Sequence, residues 1–180
     1  TFHFDKNEKD VIIKNATFVK GIKGNSLYFK GARSFAELPF KEIGYNYTVS
    51  FWINPSNNNP NDATIFQSSN SVIKLKQQNS DLLGFSRDGY HFDFNYKVPA
   101  NVWTHIVIAG TNKGTALYVN GKLQDSLYDK WIQFSDEKKT KKRRVETLFF
   151  PLQKIGGFTG KIDELQVWNK LLSGKEISEL

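Results

Sequence analysis

The sequence predicts an all-β fold of short antiparallel strands, a sandwich or a barrel, on three observations. Apolar residues recur with a period of two, most clearly in "YTVSFWINP" (47–55) and "HFDFNY" (91–96). Asn, Gly, Asp and Pro interrupt such segments at short intervals, about every 8–12 residues. "TALYVNGK" (115–122) ends in Asn120-Gly121, a pair suited to a hairpin turn in which both central residues take positive φ.

In chain order, "TFHF" (1–4) reads as a strand and "GNSLYFKG" as another ahead of the first long one. In 47–55, Val49, Phe51 and Ile53 share one face, with Thr48, Ser50 and Trp52 on the other. "PSNNNPND" (55–62) is a turn. "SVIKLKQ" (71–77) alternates Ile73 and Leu75 with Lys74 and Lys76, and in 91–96 Phe92, Phe94 and Tyr96 turn inward. "WTHIVIAG" (103–110) and "TALYVNGK" are strands joined by "TNKG". An irregular insertion is expected between about Gln124 and Leu148. "GKIDELQVW" (160–168) is the last strand and "SGKEISEL" (173–180) a closing helical turn. One domain covers 1–180, with no internal repeat. Because Thr1 opens inside an apparent strand, the chain is expected to be cut from something longer.

Hydrophobic residues make up 39% and aromatics 14%, which argues against disorder. The net charge is +7, and 138–144 ("KKTKKRR") supplies six of those charges. The rest of the chain is nearly neutral, unlike the spread of Lys and Arg that nucleic acid requires. No cysteine is present, excluding disulfides and a thiol nucleophile. No apolar run reaches the roughly 18 residues of a membrane span.

Catalysis has little support. His3, His91 and His105 are far apart in sequence, and His105 reads as a strand residue. Glycoside hydrolysis needs two carboxyl groups about 5 to 9.5 Å apart. Asp163 and Glu164 are adjacent and face opposite ways on a strand, while Asp88 and Asp93 have no supporting third group.

Three ordered blocks, "YTVSFWINP", "NVWTHIVIAGTNKGTALYVNGKL" and "FTGKIDELQVWNKLLSGKEI", resemble the signatures of laminin-G-like, concanavalin-A-like jelly-roll domains. The resemblance covers nearly the whole chain and implies a two-sheet antiparallel β-sandwich. "DLLGFSRDGYHFDFNYKVPANVW" is similar to the version appended to secreted bacterial hexosaminidases and galactosidases, which implies a carbohydrate-binding module without catalytic activity. The partners so implied are galactose- or N-acetylhexosamine-containing glycans and a catalytic domain of the same polypeptide, outside the cell or at the bacterial wall. Asp5 and Asp163 match positions where related domains carry a structural calcium.

A sugar site needs an aromatic ring for the apolar pyranose face and planar polar groups for the hydroxyls. Trp52, Trp103 and Trp168 lie in signature strands and are expected to pack in the core or between sheets. Trp131 stands in the insertion with Tyr128 close before it, a candidate sugar platform. The turn "SRDGYHFD" offers Arg87, Asp88, Tyr90 and His91 at one rim, and "SNNNPND" offers Asn58 at another. Gln67, Lys74, Lys76, His91, Asp93 and Asn95 form a polar carpet on the middle strands, which ranks below the loop rim for want of an outward ring. The run from Lys138 to Arg144 is either a hydrated loop or a patch for acidic glycans. The alternatives to sugar binding are a structural jelly roll contacting a neighbouring domain and a polyanion-binding adhesion module.

Overall fold

The structure is a computed structural model. It describes every residue except 7, 8, 41, 129, 135–139, 145 and 146, and only the backbone of 42, 130–134 and 140–144. The strands are, in order, β1 (Ile12–Lys14), β2 (Ala16–Lys20), β3 (Asn25–Lys30), β4 (Phe35–Glu37), β5 (Glu42–Ile43), β6 (Tyr47–Pro55), β7 (Thr64–Gln67), β8 (Ser71–Lys74) and β9 (Gly84–Arg87). They continue with β10 (Tyr90–Asp93), β11 (Thr104–Thr111), β12 (Gly114–Val119), β13 (Lys122–Tyr128), β14 (Lys130–Phe134), β15 (Thr140–Arg144), β16 (Phe150–Pro151), β17 (Lys154–Gly156) and β18 (Thr159–Trp168). One short helix, α1 (Gly174–Ser178), follows.

Among the described residues these strands form two seven-stranded antiparallel sheets, ordered β1-β4-β17-β7-β8-β9-β10 and β13-β12-β11-β6-β18-β3-β2, with β16-β5 and β14-β15 as two small ribbons. The chain is therefore the predicted all-β sandwich, a concanavalin-A-like jelly roll. Period-two alternation decides which face each residue takes. In the first sheet, cross-strand register aligns Ile13, Ala36, Ile155, Phe66, Ile73, Phe85 and Phe92 in one inward row. In the second, Val49, Phe51, Ile53, Ile106, Ile108, Leu117 and Ile162 are buried opposite them. Phe51 meets Phe66 edge-on at 5.0 Å between centroids, joining the layers.

The outer face of the second sheet is also covered, which alternation alone does not foresee. The tail folds back over it, packing Leu172 and Ile177 on Val107 and Ala109 with Tyr118 and Trp168 alongside. Thr48 Oγ1 donates to the Lys170 carbonyl and accepts from the Leu172 amide, so a threonine on the expected solvent face is buried. α1 begins with a capping box: Ser173 accepts from the Glu176 amide, and the Glu176 carboxylate accepts from the Ser173 amide. Trp52 and Trp168 are half-buried on this outer face, not between the sheets, and Trp103 is half-buried just before β11.

Other boundaries differ locally. "TFHF" contributes a single bridge, Phe2 to Leu165, instead of a strand. β10 stops at Asp93, after which Phe94 and Tyr96 bond to Leu83. The insertion is not irregular throughout: its described part includes two strands. β14 and β15 form a hairpin ladder that pairs Trp131 with Arg143 and Gln133 with Lys141, and the next strand starts at Phe150 instead of near Glu146. Asn120 (φ 47°) and Gly121 (φ 77°) form the expected hairpin turn.

Candidate functional site

The turn between β9 and β10 holds Asp88 (φ 50°) and Gly89 (φ 77°), the two-residue geometry that a right-twisted hairpin favours. Register then sorts the flanking residues. Arg87 pairs with both Tyr90 and Ser71, so these three lie on the core side at the end of the sheet. His91 pairs with Ser86 on the outer face and hydrogen-bonds it at 2.7 Å (Nδ1 to Oγ). The four residues expected at one rim are thus divided: Arg87, Asp88 and Tyr90 share it, and His91 belongs to the opposite face.

Arg87 and Asp88 line a cleft of about 200 Å³ with Tyr45, Asn70, Ser71 and Phe149. Arg87 Nη1 donates to Asp88 Oδ2 at 3.0 Å, and its guanidinium carbon stands 6.0 Å from the Phe92 ring centre. Arg87 is mostly covered (side chain 20% exposed) while Asp88 is open (66%), so the pair presents its carboxylate to solvent. The Tyr45 and Phe149 rings meet at 4.2 Å between centroids, tilted by 52°. Ser71 Oγ donates to the Phe149 carbonyl at 3.0 Å and ties that wall to β8. Tyr90, 53% exposed, stands 6.5 Å from the Phe92 ring.

Sequence reasoning missed Tyr45, Asn70 and Phe149. Tyr45 and Phe149 come from distant parts of the chain and meet only because β6 begins at the end where β16 returns. No local pattern marks them, although both are aromatic residues outside an alternating strand.

Tyr128 ends β13 opposite Gly114 and is 56% exposed. Gly110, one step along β11 from the Thr111–Gly114 turn, pairs with Tyr47. Tyr128 therefore lies at the same end of the sandwich as Tyr45, although it does not line the cleft. The Trp131 backbone is in β14, and its side chain lies outside the described residues. So do Lys138 and Lys139 entirely, and the side chains of the rest of the basic run. Asn58 is exposed in the turn after β6, while its neighbour Asn59 is buried and structural: its amide donates to the Ser56 and Thr159 carbonyls and its oxygen accepts from the Thr159 amide. Of the polar carpet, Gln67 and His91 lie in one outward row with Val72 and Ser86, and Lys74 and Asp93 flank Gly84 in another.

Two expectations concern proton chemistry and metal. His105 is buried with Nε2 2.7 Å from Ser50 Oγ, its ring 5.0 Å from Trp52, and burial holds its pKa below the ordinary value. This is a packed strand histidine. Asp163 is fully buried and accepts from the amides of Ile22 (2.9 Å), Lys23 (3.2 Å) and Glu164 (2.8 Å). Burial raises its pKa, while those amides pull the other way. Asp5 accepts from the Asn25 amide at 2.8 Å. Both carboxylates face N–H donors, and among the described residues no three acidic or histidine side chains cluster. Calcium requires a shell of about six to eight oxygens, whereas the hydrogen bonds to these two carboxylates come from backbone amides.

Comparison with known proteins agrees with this architecture. The profile of the Concanavalin A-like lectin/glucanases superfamily matches residues 30–178. No curated protein matches the chain. Among solved structures, domain 4 of AbnA, an extracellular GH43 arabinanase from Geobacillus stearothermophilus solved with arabinotriose, is 21% identical with a TM-score of 0.67, covering 98% of this chain and 94% of that one. The ligand-binding domain of botulinum neurotoxin serotype D, solved with N-acetylneuraminic acid, is 20% identical with a TM-score of 0.63, covering 94% of this chain but 44% of the toxin domain. The binding domain of Paraclostridial Mosquitocidal Protein 1 is 18% identical with a TM-score of 0.60, and the coverage is 94% and 46%. The chain spans less than half of both toxin domains. Their shared likeness to this chain is one of fold, and with the profile match it settles kinship: the chain belongs to the Concanavalin A-like lectin/glucanases superfamily.

Proposed function

We propose that this domain is a non-catalytic carbohydrate-binding module that holds a secreted glycoside hydrolase on galactose- or hexosamine-containing glycans at the bacterial surface. The observation that carries this reading is the cleft in which the Tyr45–Phe149 ring pair stands beside the Arg87–Asp88 pair. A pyranose has an apolar face for a ring and equatorial hydroxyls for a donor fork and a carboxylate. Asp88 accepts from a hydroxyl, with the Arg87 guanidinium beside it holding the carboxylate in place. The AbnA domain, similar over almost its whole length and solved with arabinotriose, supports sugar as the ligand class. Titration with neutral galactose- and N-acetylhexosamine-containing oligosaccharides tests the reading. Phe149→Ala and Asp88→Asn should each weaken binding at least about tenfold, with His91→Ala unchanged. Absence of binding to every such glycan leaves a structural jelly roll that contacts its neighbouring domain.

One observation favours a second reading, in which acidic glycans are the ligand. β15 carries Lys141, Lys142, Arg143 and Arg144 consecutively on a ribbon that leaves the fold next to Tyr128 and returns a few residues before Phe149. Binding confined to sulfated or sialylated glycans and abolished by high salt would select it.

A further inference from the structure

At the opposite end of β6 a second groove of about 420 Å³ lies between the strand's last residue, Pro55, and the segment around Val98. Nine residues of β6, at roughly 3.3 Å each, put it about 25–30 Å from the Tyr45 end. Its floor is apolar, from Pro55, Leu75, Val98 and Pro99. Its charged wall is Lys76, Asp81 and Lys97. We propose that this groove is a separate binding site for a sugar acid, a pyranose ring bearing one carboxylate.

The charge sets the class. Two ammonium groups face one carboxylate, and the ion pair between Lys97 Nζ and Asp81 Oδ2 (2.6 Å) is open on both sides, with side chains 61% and 51% exposed. Exposed pairs contribute little stability, so an incoming carboxylate can share or take over Lys97 at small cost. Lys76 Nζ gives one N–H to the Asn59 carbonyl at 2.8 Å, and an ammonium has three. The sugar ring would lie on the apolar floor, with Asn57 at the rim for its hydroxyls.

The groove is also preformed, which lowers the ordering cost of binding. Asn59 clamps the loop after β6 through two hydrogen bonds to Thr159 and a third to the Ser56 carbonyl, and the Asn101 amide donates to the Pro55 carbonyl at 2.7 Å. Pro55 and Pro99 fix their own φ. Nothing in this site depends on the Tyr45–Phe149 cleft.

The test is calorimetric titration with α-1,4-linked trigalacturonate and with its carboxyl-reduced, neutral counterpart. The acid is expected to bind at least about tenfold more tightly than the neutral trimer. That advantage should disappear in Lys97→Gln and persist in Phe149→Ala. Lys97 is exposed, so its variant should keep the wild-type unfolding midpoint, and Lys76→Gln provides a second probe. Equal affinity for the two trimers, indifference to Lys97→Gln, loss on Phe149→Ala alone, or no binding of the acid would each overturn the proposal. Neutral-glycan binding that is lost in Phe149→Ala bears only on the cleft at the other end.

Discussion

Three backbone amides converge on Asp163, and the loop at Ile22–Lys23 is held to β18 by that one side chain. Asp163→Ala should strand those donors in a buried place and cost about 2–4 kcal/mol, read by urea denaturation. Since the amides already satisfy the carboxylate, a chelator or added calcium should leave the thermal midpoint unchanged; a rise with calcium would refute that account. His105 contributes a pH dependence. Its folded pKa lies below the unfolded value of about 6.5, so the unfolded chain binds the proton first. Stability from this residue is present above that value and is lost as pH falls through the folded pKa. Melting curves between pH 7 and 5 should show the decline, and His105→Gln should flatten it.

At the level of elements, alternation identifies most of the sandwich because one face of each strand meets the core. Val49, Phe51 and Ile53 behave as their spacing implies. Thr48 does not, because the tail covers its face through contacts more than a hundred residues away in sequence, and Ser50 is buried against His105. The site shows the same division. Arg87 and Asp88 are legible, since Asp-Gly between two apolar runs marks a turn, whereas their aromatic partners Tyr45 and Phe149 meet only after two strands are in register. Helix α1 is a small docking element, and its capping box is the most readily removed support. Ser173→Ala should cost about 1 kcal/mol. The same variant should increase protease sensitivity near the C-terminus as Ile177 loosens from Val107.

Across the whole molecule, the proposed clefts stand at opposite ends of one rigid strand, an arrangement that would make the domain a bridge along a polymer instead of a clasp on its tip. A long glycan carrying both neutral and acidic residues should bind more tightly than either trimer, and the excess should vanish when either Phe149 or Lys97 is replaced. Surface retention on such a polymer would measure it. Among the described residues, the β14–β15 ribbon pairs with itself and joins neither seven-stranded sheet. Replacing residues 130–144 with a short Gly/Ser linker should therefore shift stability by less than about 1 kcal/mol, because closure entropy changes slowly with loop length. If that holds, the ribbon is an editable appendage: descendants of this sequence could lengthen, recharge or discard it, and so change what one end of the domain touches, without disturbing the folding of the sandwich.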